Sequence, residues 1–196
     1  KSKDKLKMIK KNCKLISFIL TLLFFNNSYA LDDSDIFLDA VFFSAVKKSN
    51  YDKVLRMIEE GISLNIDDSD GLTPLAYALK NDDEKMFDLL ISKGADINKK
   101  ILDGNSHLIF YISNKRFKLI GKIFEIGANI NFQDRIGRTA LMNAIEKKNL
   151  NAINILIEKD HDKEITDYSG KNVLDYANKT RDESIKKLVS RYYGID

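Results

Sequence analysis

The chain has no tryptophan, one proline (Pro74), one cysteine (Cys13) and two histidines (His107 and His161) in 196 residues. A single proline leaves no proline-rich linker, so one domain is expected. A single cysteine excludes an internal disulfide and any cysteine-based metal set. The two histidines stand over fifty residues apart with no His-x-x-x-His spacing, which gives a metal site no support; they are expected to be incidental surface or cap residues. There is no Gly-rich phosphate loop, no Gly-x-Ser-x-Gly turn and no EF-hand spacing. The carboxylates are strewn along polar faces, and the cluster Asp67, Asp68 and Asp70 has the form of a solvated turn. No catalytic residue, metal or cofactor is expected, and the chain is not expected to be an enzyme.

Charge of one sign is scarce outside the beginning of the chain. Residues 1–30 hold seven Lys and one Asp, and the remainder holds 25 basic against 28 acidic residues. A mildly acidic body is a poor match for a phosphate backbone, so no nucleic acid partner is expected.

Long apolar runs are also scarce, with one exception. Lys10, Lys11 and Lys14 precede an apolar run from Leu15 to Phe25, followed by Asn26, Asn27, Ser28, Tyr29 and Ala30. This is the three-part layout of a secretory signal peptide over residues 1–30, with cleavage expected between Ala30 and Leu31 and a mature N-terminal segment over 31–37. An eleven-residue apolar helix reaches about 17 Å, short of the ~30 Å hydrocarbon core, so no stable membrane anchor is expected. Met8 is expected to be the true start. Cys13 precedes the apolar run, so the mature chain has no cysteine and is held by packing alone.

What is present in abundance is repetition. Gly71, Gly104, Gly137 and Gly170 lie 33 residues apart, and Gly61, Gly94 and Gly127 repeat the same step. A fixed period of that size denotes a repeat architecture. In the clearest unit, Thr73 is placed to cap a helix and Pro74 suits its first position. Leu75, Ala78 and Leu79 form one apolar side, Asn81, Asp82 and Asp83 break the helix, and Phe87, Leu90 and Ile91 form a second apolar face ended by Gly94. Two such helices cannot stand alone, so neighbouring units must cover them.

These residues, Asp70-Gly71-Leu72-Thr73-Pro74-Leu75 and Gly94-Ala95-Asp96-Ile97-Asn98, resemble an ankyrin repeat. The resemblance covers residues 38–196 and implies an all-α solenoid of about five helix-turn-helix units joined by β-hairpin loops: 38–70, 71–103, 104–136, 137–169 and 170–196. The first is expected to be a capping unit, with Ala40 to Ala45 in place of Thr73 to Ala78 and Val54, Met57 and Ile58 on the face of its second helix. Ser106-His107-Leu108, Thr139-Ala140-Leu141 and Asn172-Val173-Leu174 open the later first helices. Ile120, Ile123 and Phe124, then Ile153, Leu156 and Ile157, carry the later second faces. Asp160-His161-Asp162-Lys163-Glu164 replaces the loop motif, so a less regular hand-over is expected there. Ile185, Leu188 and Val189 fall one residue out of step, so the last inter-helix loop is expected to be one residue shorter. The family's usual histidine is replaced by Ala76, Ile109, Met142 and Asp175, which implies the loss of a polar network between loops.

In the family, recognition falls on hairpin tips and the exposed side of each first helix, which line the concave face. Carried over by position, the partner-binding residues are Asp70, Leu72 and Lys80; Leu102, Asn105 and Ser113; Arg135, Ile136, Arg138 and Glu146; then Tyr168, Lys171 and Lys179. Ile101 replaces the aspartate found at Asp68, Asp134 and Asp167, which implies a greasier tip. The mixture of apolar, charged and aromatic groups suits a protein surface. The resemblance thus implies a monomeric, non-catalytic protein-binding scaffold, periplasmic or secreted from a bacterial cell. Richness in Lys, Asn and Ile is what AT-rich coding produces, as in many bacteria living inside host cells, and points to a host protein as partner. The alternative is a periplasmic envelope component acting as inhibitor or chaperone-like partner of a neighbouring enzyme.

Overall fold

The computed structural model describes residues 33–195. The expected signal peptide, its cleavage point and the Met8 start lie outside the described residues. The chain divides into two compact units, Lys1–Leu38 and Asp39–Asp196, and the second carries the stacked helix pairs.

Ten α-helices occur among the described residues. They are α1 (Asp33–Lys47), α2 (Tyr51–Glu59), α3 (Pro74–Lys80), α4 (Glu84–Ser92), α5 (His107–Ser113), α6 (Ile120–Glu125), α7 (Ala140–Glu146), α8 (Leu150–Ile157), α9 (Val173–Lys179) and α10 (Glu183–Tyr193). None is long and apolar enough to cross a membrane. The short helices start where a side chain accepts from a free N–H. Thr73, Ser106, Thr139 and Asn172 cap α3, α5, α7 and α9, and Asn50, Asp83, Asn149 and Asp182 cap α2, α4, α8 and α10.

The first helices stack in the order α3, α5, α7, α9, and the second helices α6, α8 and α10 stack behind them. One row of the core follows the 33-residue step through Leu90, Ile123, Leu156 and Val189, all fully buried. Met86, Leu119, Ala152 and Ile185 form a parallel row, also buried. Ile185 and Val189 therefore occupy the places of Met86 and Leu90, and the Asp182 cap keeps the step from Asn149. The last helix is in step, contrary to the expected shorter loop. The apparent slip comes from counting from Phe87, whose counterpart in the last unit is Lys186.

The third unit departs locally and compensates. Arg116 stands at the capping position of the second helix, and α6 has no side-chain cap. Tyr111 occupies a position held by alanine in the other units, Ala45, Ala78, Ala144 and Ala177. Its buried hydroxyl accepts from the Leu119 N–H at 2.9 Å and donates to Asp82 Oδ1 at 2.6 Å. The added ring fills the core and supplies the missing cap.

No β-strand occurs among the described residues, so the expected β-hairpins are corrected to tight turns. Each turn has one backbone bond across its ends, Asp68 N–H to Leu72 O at 3.0 Å, Ile101 to Asn105 at 2.9 Å, Asp134 to Arg138 at 3.0 Å and Asp167 to Lys171 at 2.8 Å, and inside it a second from the glycine N–H back to the carbonyl of Asp68, Ile101, Asp134 or Asp167. The next residue or the one after already caps a helix, leaving no length for a second rung.

Polar bonds between units survive by another route. Asn65 Oδ1 accepts from Asp96 N–H at 2.8 Å, Asn98 Oδ1 from Asn129 N–H at 2.9 Å and Asn131 Oδ1 from Asp162 N–H at 3.0 Å. The amides of Asn65 and Asn98 also donate to Gly94 O and Gly127 O, at 3.4 and 3.0 Å. At the degenerate loop the asparagine rung, Asn131 to the Asp162 N–H, persists. Here His161 stacks on Tyr192 with ring centroids 5.8 Å apart and pairs Nε2 with Tyr193 Oη at 3.1 Å, tying the loop to α10.

His107 is not a surface residue. It is fully buried, with Nδ1 2.9 Å from Ile97 O and Nε2 2.7 Å from Thr73 Oγ1. Because a carbonyl only accepts, the proton is assigned to Nδ1, and the Thr73 hydroxyl donates to Nε2. A histidine at the proline position thus links two units.

Candidate interaction surface

Three of the four tips are organised by an aspartate. Asp134 Oδ1 accepts from the N–H groups of Ile136 and Arg138 at 3.0 and 2.9 Å; Asp68 does the same for Asp70 and Leu72, and Asp167 for Ser169 and Lys171. The second carboxylate oxygen meets a donor nine residues on: Tyr77 Oη at 2.7 Å, Asn143 Nδ2 at 3.2 Å and Tyr176 Oη at 2.8 Å. Burial opposes ionisation at Asp134. The Arg138 N–H, the Asn143 amide, the Ile136 N–H and the Arg138 guanidinium outweigh it and hold the carboxyl below its usual range. The same balance takes Asp167 down to about 2.

Where Ile101 replaces aspartate, the residue nine positions on is Phe110, which has no donor. The acid and its partner are exchanged together for apolar groups. Ile101 is buried, so the expected greasier tip is corrected: at this turn it is Leu102, 43% exposed, that faces solvent.

Tips lean on one another. The Leu102 N–H donates to Gly71 O at 2.8 Å and the Tyr168 N–H to Ile136 O at 3.1 Å. At Gly137, with φ of 87°, a Cβ atom would lie 2.6 Å from both the Tyr168 nitrogen and its ring. At Gly170, with φ of 81°, a Cβ would meet nothing within 4 Å. Gly137→Ala is therefore expected to destabilise by about 1–3 kcal/mol, and more than Gly170→Ala, which carries the backbone strain alone. Paired urea unfolding curves check this; equal losses would show that Tyr168 does not press on Gly137.

The thirteen positions expected to bind a partner are not equivalent. Leu72 is only 4% exposed and presents no surface, so it leaves the set; its side chain packs in the core below the tip. Asn105, Arg135, Ile136 and Arg138 come together with Asp103 and Asp134 around a groove of about 220 Å³. Arg135 Nη1 lies 3.6 Å from Asp103. Arg138 donates from Nε to Asp134 Oδ2 at 2.9 Å and from Nη1 to Glu146, so it is braced from both sides. Glu146 and Lys179 line a second groove, of about 280 Å³, with Ile145, Lys148, Tyr176, Thr180 and Arg181. The Arg138–Glu146 bond joins the two grooves.

Asp70, Lys80, Leu102, Ser113, Tyr168 and Lys171 line neither groove. Of these, Asp70, Lys80, Leu102, Tyr168 and Lys171 are exposed on the tips or at the end of α3, and Ser113 is half-buried. Tyr168 is 72% exposed and Ile136 is 50% exposed, and the two are joined through the backbone. Among groove residues, Asp103, Lys148, Tyr176 and Arg181 were missed from the sequence. The repeat step was the available clue, since Lys148 and Arg181 stand 33 residues apart. Among the described residues, no cluster of His, Cys, Asp or Glu could hold a metal ion.

Comparison with curated proteins gives no match. A family model described as ankyrin repeats (3 copies) matches residues 9–101 and 108–196. Its first match reaches back into the segment expected to be a signal peptide. Ankyrin repeats generally mediate protein–protein interaction and are typically non-catalytic scaffolds. With stacked helix pairs at a 33-residue step and family matches over most of its length, the chain belongs to the ankyrin-repeat family.

Proposed function

We propose that the chain is a non-catalytic scaffold, exported from a bacterial cell, which grips a protein partner with the tips and first helices of its last three units. The observation carrying this reading is the pair of linked grooves between Asp103 and Arg181, bordered by exposed Ile136 and Tyr168. Apolar and aromatic side chains beside a polar groove supply area and orientation together, as protein interfaces require.

Arg138 is held by Asp134 and Glu146, so its reversal would disturb the tip itself. Arg135 and Ile136 are exposed and suit a test of binding. Arg135→Glu with Ile136→Asp is expected to abolish capture of the partner from host-cell extract while leaving the melting curve unchanged. Undiminished capture would remove this surface from consideration. Export rests on the basic and apolar pattern before Leu31; cell fractionation with mass spectrometry of the mature N-terminus decides it, and an intact N-terminus in the cytosol would refute it.

A further inference from the structure

We infer that the groove between α7 and α9 takes an acidic peptide segment of the partner, its carboxylates meeting Lys148, Lys179 and Arg181. This rests on the scaffold reading above and names the chemistry of what is bound. The three cations line one groove of about 280 Å³ together with Tyr176, and among the described residues none of them has an ion-pair partner. The single carboxylate in that lining, Glu146, is already engaged by Arg138. Arg138 therefore screens the negative group that would otherwise repel an acidic ligand.

Comparison along the repeat step sharpens the point. Lys47 occupies in the first unit the place of Lys179, and it is neutralised by Asp68 at 3.0 Å. Asp82 occupies the place of Lys148 and pairs with Arg116 at 2.8 Å. Lys80 and Lys115, at the same two steps in the second and third units, also have no ion-pair partner among the described residues; the C-terminal groove is set apart by gathering three such cations in one lining. The Lys148 backbone is left-handed, with φ of 53°, at the turn between α7 and α8. A concave lining of one free sign with the half-buried ring of Tyr176 beside it favours an extended acidic chain over a flat anionic surface, which could not enter between the helices.

The test is fluorescence anisotropy with a labelled hexaglutamate peptide, with hexaserine and hexalysine peptides as controls, on the full chain. Hexaglutamate should bind alone of the three, more weakly as NaCl rises from about 50 to about 500 mM. Lys179→Glu with Arg181→Glu should weaken it about tenfold or more, whereas Lys179→Arg with Arg181→Lys should retain it. Both variants must keep the parent melting curve; if the reversal variant unfolds, Lys148→Gln alone is read instead and should weaken binding severalfold. Binding unchanged by these substitutions, equal binding of hexaserine, or displacement by inorganic phosphate as effective as by free hexaglutamate would overturn the inference. If hexaglutamate fails to bind while Arg135→Glu with Ile136→Asp still abolishes partner capture, the acidic segment is refuted and the scaffold surface stands.

Discussion

Leu90→Ala is expected to cost about 2–5 kcal/mol of folding stability, enough to threaten a repeat domain of ordinary stability. Leu90 is fully buried in α4, in the row that runs from Met57 through Ile123, Leu156 and Val189. Removing its branched end leaves a cavity that stacked helices close only in part. Each unit of a solenoid touches only its neighbours, so the loss falls on the junction around the second and third units. Urea unfolding should show both a lower midpoint and an earlier phase from the N-terminal units. Lys93→Ala, at the exposed end of the same helix, should change stability by less than about 0.5 kcal/mol. A Leu90→Ala curve superimposed on the parent would show that this row is not the core.

Acidification from pH 6.5 to 4 is expected to remove up to about 3 kcal/mol through His107. Burial drives the imidazole to about 4, against the raising effects of the Ile97 carbonyl and of Asp96, from an ordinary 6.5. The folded state thus stays neutral where the unfolded chain already binds a proton. Stability is complete above pH 6.5 and is lost as pH falls toward 4. The tip carboxylates of Asp68, Asp134 and Asp167 are held low, so their contribution fades only below about pH 3.9, the ordinary aspartate value. The two ranges barely overlap. His107→Leu should be less stable at pH 7, having lost its bonds to Thr73 and Ile97, and should lack most of the decline between pH 6.5 and 4.5. The same pH slope in variant and parent would assign it elsewhere.

The unit that best matches the family, from Asp70 to Asn98, was legible because its apolar spacing, Thr-Pro start and terminal Gly all describe the same helix pair. Tyr111 and His107 were not. Nothing local distinguishes a tyrosine that caps the next helix, or a histidine that bonds across a unit, from residues on a polar surface. Their partners, Leu119 and Asp82 for one and Thr73 and Ile97 for the other, are chosen by stacking. Ile101 was misjudged for the same reason. Its loss of charge makes sense only beside Phe110, nine residues away, where the other tips carry Tyr77, Asn143 or Tyr176.

By itself the sequence determined the family, the 33-residue step and the helix pairs, because each is written in local spacing and composition. Tertiary structure alone decided that Leu72 is buried, that the last helix keeps step, and that the Asn65, Asn98 and Asn131 rungs replace the family's usual histidine network. It also decided which charges remain open. Lys47 and Lys179 occupy the same place in their units, yet Lys47 is neutralised across 21 residues by Asp68 while Lys179 faces a groove. An ion pair depends on distance in space, and the stacking of the units sets that distance.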